Sequence, residues 1–228
     1  MKRYALIVFL IGLNLSVMYG QANKFKGEFY VGAGAGALVS SVSFSPGVAQ
    51  SFHLGMHVGI AAKYISEEHL GVIAEINFAQ RGWKEDYDAE TGFSYNRTMN
   101  YVEIPFLWHV YFGNKVRFIF NAGPQVSILF NHSSSMSEAL AADVETQKKA
   151  NPDNAFIGLQ YADPESRFDY GLIGGVGLEL RTGIGDFDLE GRYYFGLADF
   201  FRYESRKTDF SRAAHRVIEA KLTYYIKF

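Results

Sequence analysis

"RVIEAKLTYYIKF", Arg216–Phe228, alternates apolar and polar residues almost without a break. Ile218, Ala220, Leu222, Tyr224, Ile226 and Phe228 fall on one side, and Glu219, Lys221, Thr223 and Lys227 on the other. A repeat of two is the mark of a strand with two different surroundings on its two faces. The stretch is too long for an ordinary hairpin strand, and it ends on an aromatic residue.

The same period runs through the chain from residue 28 onward. It predicts eight long strands: Glu28–Ser40, Ser51–Tyr64, His69–Gln80, Thr98–Phe112, Lys115–Asn131, Phe168–Arg181, Asp186–Ala198 and Arg216–Phe228. Short turns near Ile65–Glu68, Gly113–Asn114 and Thr182–Gly185 alternate with long connections at Ser41–Gln50, Arg81–Arg97, His132–Arg167 and Asp199–Ala213. Gly and Asn in "FGNK" and "RTGIGD" suit tight hairpins, because they tolerate positive φ. Strict alternation puts every long loop at one end of an up-and-down sheet and both termini at the other. Within the longest loop, Ser135–Pro152 has helix composition, with Ser135 and Glu138 spaced as a capping box. Asn154–Tyr161 reads as a short extra strand without a partner of spanning length, so ten strands is the alternative to eight.

Composition narrows the setting. Of 228 residues, 16% are aromatic and 23 are glycine, as strands and close backbone contacts require. The absence of cysteine rules out disulfides, thiolate metal sites and a cysteine nucleophile. A net charge of -2 gives no basic surface for nucleic acid. The opening "MKRYALIVFLIGLNLSVMYGQA" has a charged start at Lys2 and Arg3, an apolar core from Ala5 to Val17, and small residues at Gly20 and Ala22. It is expected to be a secretory signal peptide, residues 1–22, leaving residues 23–228 as one exported domain.

An eight-stranded sheet of this kind must close on itself to remove its edges. A soluble barrel turns its apolar face inward; an outer-membrane barrel turns it outward to lipid. Three features favour lipid. The strands exceed the ~9–11 residues that span a bilayer at a tilt. Aromatic residues gather near the strand ends on the apolar face: Phe29, Tyr64, Trp108, Phe112, Tyr224 and Phe228 at the short-turn end, and Phe44, Phe52, Phe78, Trp83, Tyr170 and Phe195 at the other. Loop lengths show the asymmetry of outer-membrane barrels, with periplasmic termini and extracellular loops, the longest at 132–167. The expected fold is an all-β, eight-stranded antiparallel transmembrane barrel.

The polar face then points into the barrel. Lys63, Glu75, Glu103, Arg117, Glu179, Arg181, Asp188, Glu190, Arg192, Glu219 and Lys221 carry both signs of charge there, and unpaired interior charges are costly. A plugged interior of ion pairs is therefore expected; a narrow solute or ion pore is the alternative. Tyr224, Ile226 and Phe228 read as a signal for the barrel-assembly machinery, and the surrounding partner is outer-membrane lipid.

"AQRGW" (Ala79–Trp83), "YVEIPFL" (Tyr101–Leu107), "AGPQVSILF" (Ala122–Phe130) and "DYGLIGGVGLEL" (Asp169–Leu180) resemble the PorT-like outer-membrane β-barrel family. The resemblance covers essentially the whole mature chain. It implies a small barrel in a Gram-negative outer membrane, with no catalytic residues, and its namesake is linked to type IX protein secretion and gliding. Other envelope or secretion proteins are the partners implied. Pro105, which removes a ladder donor, is expected to sit at a bulge.

Catalytic and metal chemistry find little footing. His53 and His57 are four apart on a strand, about 13 Å, too far for one metal. His132, Ser133–Ser135 and Glu138 supply the residue types of a surface lipid hydrolase, but a serine-rich loop is the commoner meaning of such a run. The "GAGAG" of Gly32–Gly36 lies inside a strand, not between a strand and a helix, so it makes no phosphate loop. No cofactor is expected.

Overall fold

The alternation is realised as a closed ring. The computed structural model describes residues 25–45, 47–152, 157, 159–199 and 212–228. The expected signal peptide, residues 1–22, and most of the Asp199–Ala213 connection lie outside the described residues. Eight antiparallel strands form the barrel: β1 (Glu28–Ser45), β2 (His53–Glu67), β3 (Leu70–Glu85), β4 (Tyr95–Gly113), β5 (Val116–Met136), β6 (Phe168–Thr182), β7 (Gly185–Gly196) and β8 (Arg212–Lys227). Each pairs with its neighbour in sequence, and β8 closes on β1 from Tyr30↔Lys227 to Ser45↔Arg212. A two-residue bridge, Gln50–Ser51, adds to the end of β3. Among the described residues no helix is long and apolar enough to cross a membrane; this chain would cross with strands.

Register fixes the barrel's dimensions. Stepping across the ladders from Phe29 leads through Tyr64, Val72, Trp108, Ala122, Gly174, Tyr193 and Ile218, and back to β1 at Val39. The circuit returns ten residues from where it began. Eight strands with that stagger give a tilt of about 41° and a backbone radius of roughly 8 Å. On β8 the outward face from Ile218 to Phe228 then covers roughly 25 Å, the height of a lipid-facing apolar band. Ile218, Leu222, Ile226 and Phe228 are all exposed. At the upper border of this band the Arg216 guanidinium lies 3.8 Å from the centre of the Phe195 ring, where a long cationic side chain reaches toward the interface.

Above the band the pattern changes sign. Val42 and Phe44 of β1 turn inward while Ser41, Ser43 and Ser45 turn outward. Trp83 of β3 is fully buried, as are Tyr95 and Met99 of β4. Phe44 and Trp83 were expected in the lipid-facing girdle; they belong instead to an apolar cluster inside the barrel mouth. Once a strand rises out of lipid its outer face meets water, so the apolar side belongs inside. For the same reason β3 and β4 extend into both ends of Arg81–Arg97, expected to be a loop, and leave 86–94 as the connection. Phe29, Tyr64, Trp108, Phe112, Phe52, Tyr170 and Phe195 do face outward.

Three local expectations are revised. Pro105 causes no register shift. The β3–β4 ladder has the same register at Ala74↔Phe106 and Asn77↔Glu103 and lacks pairs between them; the irregularity on β4 falls at Asn100/Tyr101. The long-loop helix, α1 (Glu138–Ala150), is capped by Ser137, whose side chain accepts from the Leu140 N–H; Ser135 remains in β5. Of the Asn154–Tyr161 stretch, 154–156 and 158 lie outside the described residues, and Leu159–Tyr161 is a 3₁₀ turn. The ring stays at eight.

Candidate functional site: a crossed lumen beneath a loop cap

Inward-facing residues of a barrel this narrow meet those of the opposite wall. Three levels of contact result. Nearest the short turns, Lys63 of β2 reaches Glu179 of β6 at 2.5 Å and Asp188 of β7 at 3.2 Å. Arg117 holds the other oxygen of Glu179 at 2.9 Å. The Tyr225 ring lies 4.0 Å under the Lys63 ammonium, and Tyr111 4.1 Å under Arg117.

At mid-height, Arg192 of β7 donates both guanidinium N–H groups to Glu75 of β3, each at 2.9 Å. Lys221 of β8 adds a third bond to Glu75 at 2.6 Å. Glu190 accepts from Arg192 and from Asn121, both at 2.8 Å. His57 stands 3.6 Å from Glu219. Glycine makes room for this level: a Cβ on Gly175 would lie 2.7 Å from Arg192 Cγ and 2.8 Å from Glu190 Oε1.

Higher still, Arg81 pairs with Glu103 and, at 2.9 Å, with Asp169. Its guanidinium stacks on Tyr194 at 4.3 Å. Across the lumen, the Tyr101 hydroxyl and His215 Nε2 are 3.0 Å apart. Each level thus links walls three or four strands apart in the ring, and buried charges are stable only when paired this closely.

Ten of the eleven expected interior residues are buried within these levels. Arg181 differs: it sits at the rim on the short-turn side, partly exposed, 3.7 Å from Asp186. Arg81 and Asp169 complete the upper level and were not among those expected. Both share the odd-numbered parity of Glu75 and Glu179 on their strands, so the sequence carries the signal, but the expected strand His69–Gln80 stops one residue short of Arg81.

A cap of loop residues covers the mouth. Phe44 packs edge-on to Trp83 with ring centres 5.4 Å apart, and Tyr95 meets Tyr161 at a tilt of 58° with ring centres 4.6 Å apart. Arg97 lies over Trp83 and donates to the Tyr161 carbonyl at 2.9 Å. Leu140 anchors α1 to this cluster. At its side, the hydroxyls of Tyr87 and Tyr161 both donate to Glu85 Oε2, Tyr161 at 2.9 Å. Burial raises the Glu85 carboxyl above the usual carboxylate range. It also raises the Tyr161 phenol to about 12 and the Tyr87 phenol further. The supposed hydrolase residues do not assemble: His132 Nδ1 lies 3.9 Å from Asp163, not against a serine. Among the described residues no group of three or more His, Asp or Glu is arranged to hold a metal ion.

Comparison with known proteins agrees with this architecture. OprG, an outer membrane protein of Pseudomonas aeruginosa, superposes with a TM-score of 0.53 at 12% identity, over 88% of this chain and 97% of that one. Neisserial surface protein A gives 0.45 at 14% identity, over 90% and 100%. The attachment invasion locus protein Ail of Yersinia pestis, in complex with a heparin analogue, gives 0.44 at 13%, over 87% and 99%. No curated protein sequence matches. A family model of the outer membrane protein beta-barrel domain matches residues 19–202. The chain, with its closed ring of eight strands and its lipid-facing apolar band, belongs to the outer membrane protein beta-barrel domain family.

Proposed function

We propose that this protein is a non-enzymatic barrel whose lumen is sealed and whose loop cap binds partners in the cell envelope. The ion pairs that cross the lumen at three levels carry the reading, because a solute path would have to break them. Residues 1–22 direct export, the termini and short turns face the periplasm, and the long loops face outward. The PorT-like resemblance of Tyr101–Leu107 and Asp169–Leu180 supports an association with type IX secretion. Outer-membrane lipid and the barrel-assembly machinery are its other partners, with Tyr224, Ile226 and Phe228 as the assembly signal.

Two measurements test this. Purified protein in planar bilayers should give no steady channels; sustained conductance would replace the sealed barrel with a pore. A deletion strain should show an altered secreted proteome. An unchanged one would remove the secretion role and leave the sealed barrel standing.

A further inference from the structure

Beside the aromatic cluster of the cap lies a cavity of about 880 Å³, between α1, the end of β3 and the Leu159–Tyr161 turn. Its size falls within the range of small-molecule sites. Four carboxylates line it, Glu85, Asp86, Asp88 and Asp143, and none of the described lining residues is basic. Its aromatic wall is formed by Tyr87 and Tyr161, with Phe93 standing edge-on to Tyr87 at 5.7 Å.

Glu85 distinguishes this cavity from an ordinary acidic surface. Its side chain is only 5% exposed. One oxygen, Oε2, accepts from Tyr87 and Tyr161, and the Trp83 indole N–H is a third donor to the carboxylate, whose Oε1 is enclosed. Trp83 stands beside it, and like the two tyrosines it is neutral. Among the described residues no cation pairs with Glu85, whereas the buried lumen carboxylates Glu75, Glu103, Asp169, Glu179, Asp188 and Glu190 each meet a lysine or arginine and Glu219 stands 3.6 Å from His57. A buried carboxylate without a counter-charge is costly. The missing charge and the aromatic faces around it favour the same visitor, since an ammonium group is attracted both by carboxylates and by the faces of aromatic rings.

We propose that the cap cavity binds an organic cation, an ammonium group carried on an alkyl or aryl body. The charged head approaches Glu85 and Asp143 while the apolar body lies against Tyr87, Phe93 and Tyr161. This goes beyond the secretion reading and does not depend on it. The cation could arrive as a free amine or on a lysine side chain; the chemistry recognised is the same.

The test uses the full barrel refolded in a sugar-headed detergent, because choline-headed detergents would compete. Calorimetry at pH 7.5 compares phenethylammonium with its neutral counterpart 2-phenylethanol, and with a tetrapeptide bearing one lysine. Saturable binding of phenethylammonium or of the peptide, at least tenfold weaker for 2-phenylethanol and at least tenfold weakened by Glu85→Gln and by Asp143→Asn, supports the site. Which of the two probes binds more tightly identifies the source of the cation. Folding of each variant is checked by the gel shift between unheated and boiled samples. Equal affinity for the neutral alcohol, no saturable binding of either cation, or unchanged affinity in folded Glu85→Gln overturns the proposal.

Discussion

Arg192 on β7 grips Glu75 on β3, the strand directly across the ring, through two bonds of 2.9 Å each. Glu75 also holds Lys221, so one carboxylate serves two buried cations. Glu75→Gln should therefore destabilise the barrel more than Lys221→Met, by roughly 3–5 kcal/mol against a smaller loss. Urea unfolding in detergent, followed by tryptophan fluorescence, would check the order; the reverse order would show that the network is not centred on Glu75.

Leu189 and Leu222 are paired across β7 and β8 in the middle of the apolar band, both exposed. Leu222→Arg should cost about 2–4 kcal/mol if this face meets lipid. The same change on a water-facing strand would cost no more than about 0.5 kcal/mol. The comparison is read from the folded fraction in lipid vesicles.

Gly175 leaves the space that Arg192 and Glu190 occupy. Gly175→Leu should push the guanidinium off Glu75 and cost on the order of 1–3 kcal/mol from overpacking alone. Its effect should shrink when Arg192 is already Ala, because the two changes act on one contact.

Cap stability should depend on pH through Glu85. Its folded-state carboxyl is raised by burial, so the neutral form is the one the cap prefers. That contribution is complete below the ordinary carboxylate range and is lost as pH rises through the raised value. Asp86, Asp88 and Asp143 line the same cavity, while the hydrogen bonds from Tyr87, Tyr161 and Trp83 oppose the burial effect on Glu85. The protection factors of amides in α1, taken relative to intrinsic exchange at each pH, should fall between acidic and neutral pH, and Glu85→Gln should flatten that profile.

The closing strand is tied at its end. The Phe228 N–H donates to the Phe29 carbonyl at 2.9 Å, and the Tyr224 hydroxyl donates to the Ile184 carbonyl. Replacing Tyr224, Ile226 and Phe228 by serine should reduce the amount of heat-modifiable barrel in the outer membrane severalfold. Normal surface levels would end the assembly-signal reading.

The barrel was readable because period two assigns each residue to a face whatever lies beyond that face. Glu75, Arg192 and Lys221 were placed inside by parity alone. Parity carries no azimuth, so nothing in the sequence says that Lys63 meets Glu179 and not Glu75. Nor does it mark the waterline: in β1 the run from Val39 to Ser45 keeps its period while its apolar side moves from outside to inside. Phe44 and Trp83 were misplaced for that reason. The cap depends on Tyr161, 76 residues from Glu85 in the chain, and no local pattern announces such a contact.

The ten-residue stagger has a consequence for how the ring can close. Sliding β8 against β1 by two residues keeps every side chain on its proper face, so hydropathy alone would accept the error. It would, however, change the diameter by about 1.4 Å. A bidentate grip set at 2.9 Å across that diameter cannot follow. The polar bars of the lumen therefore act as a gauge of circumference: they recognise the correct seam from the far wall, without touching it.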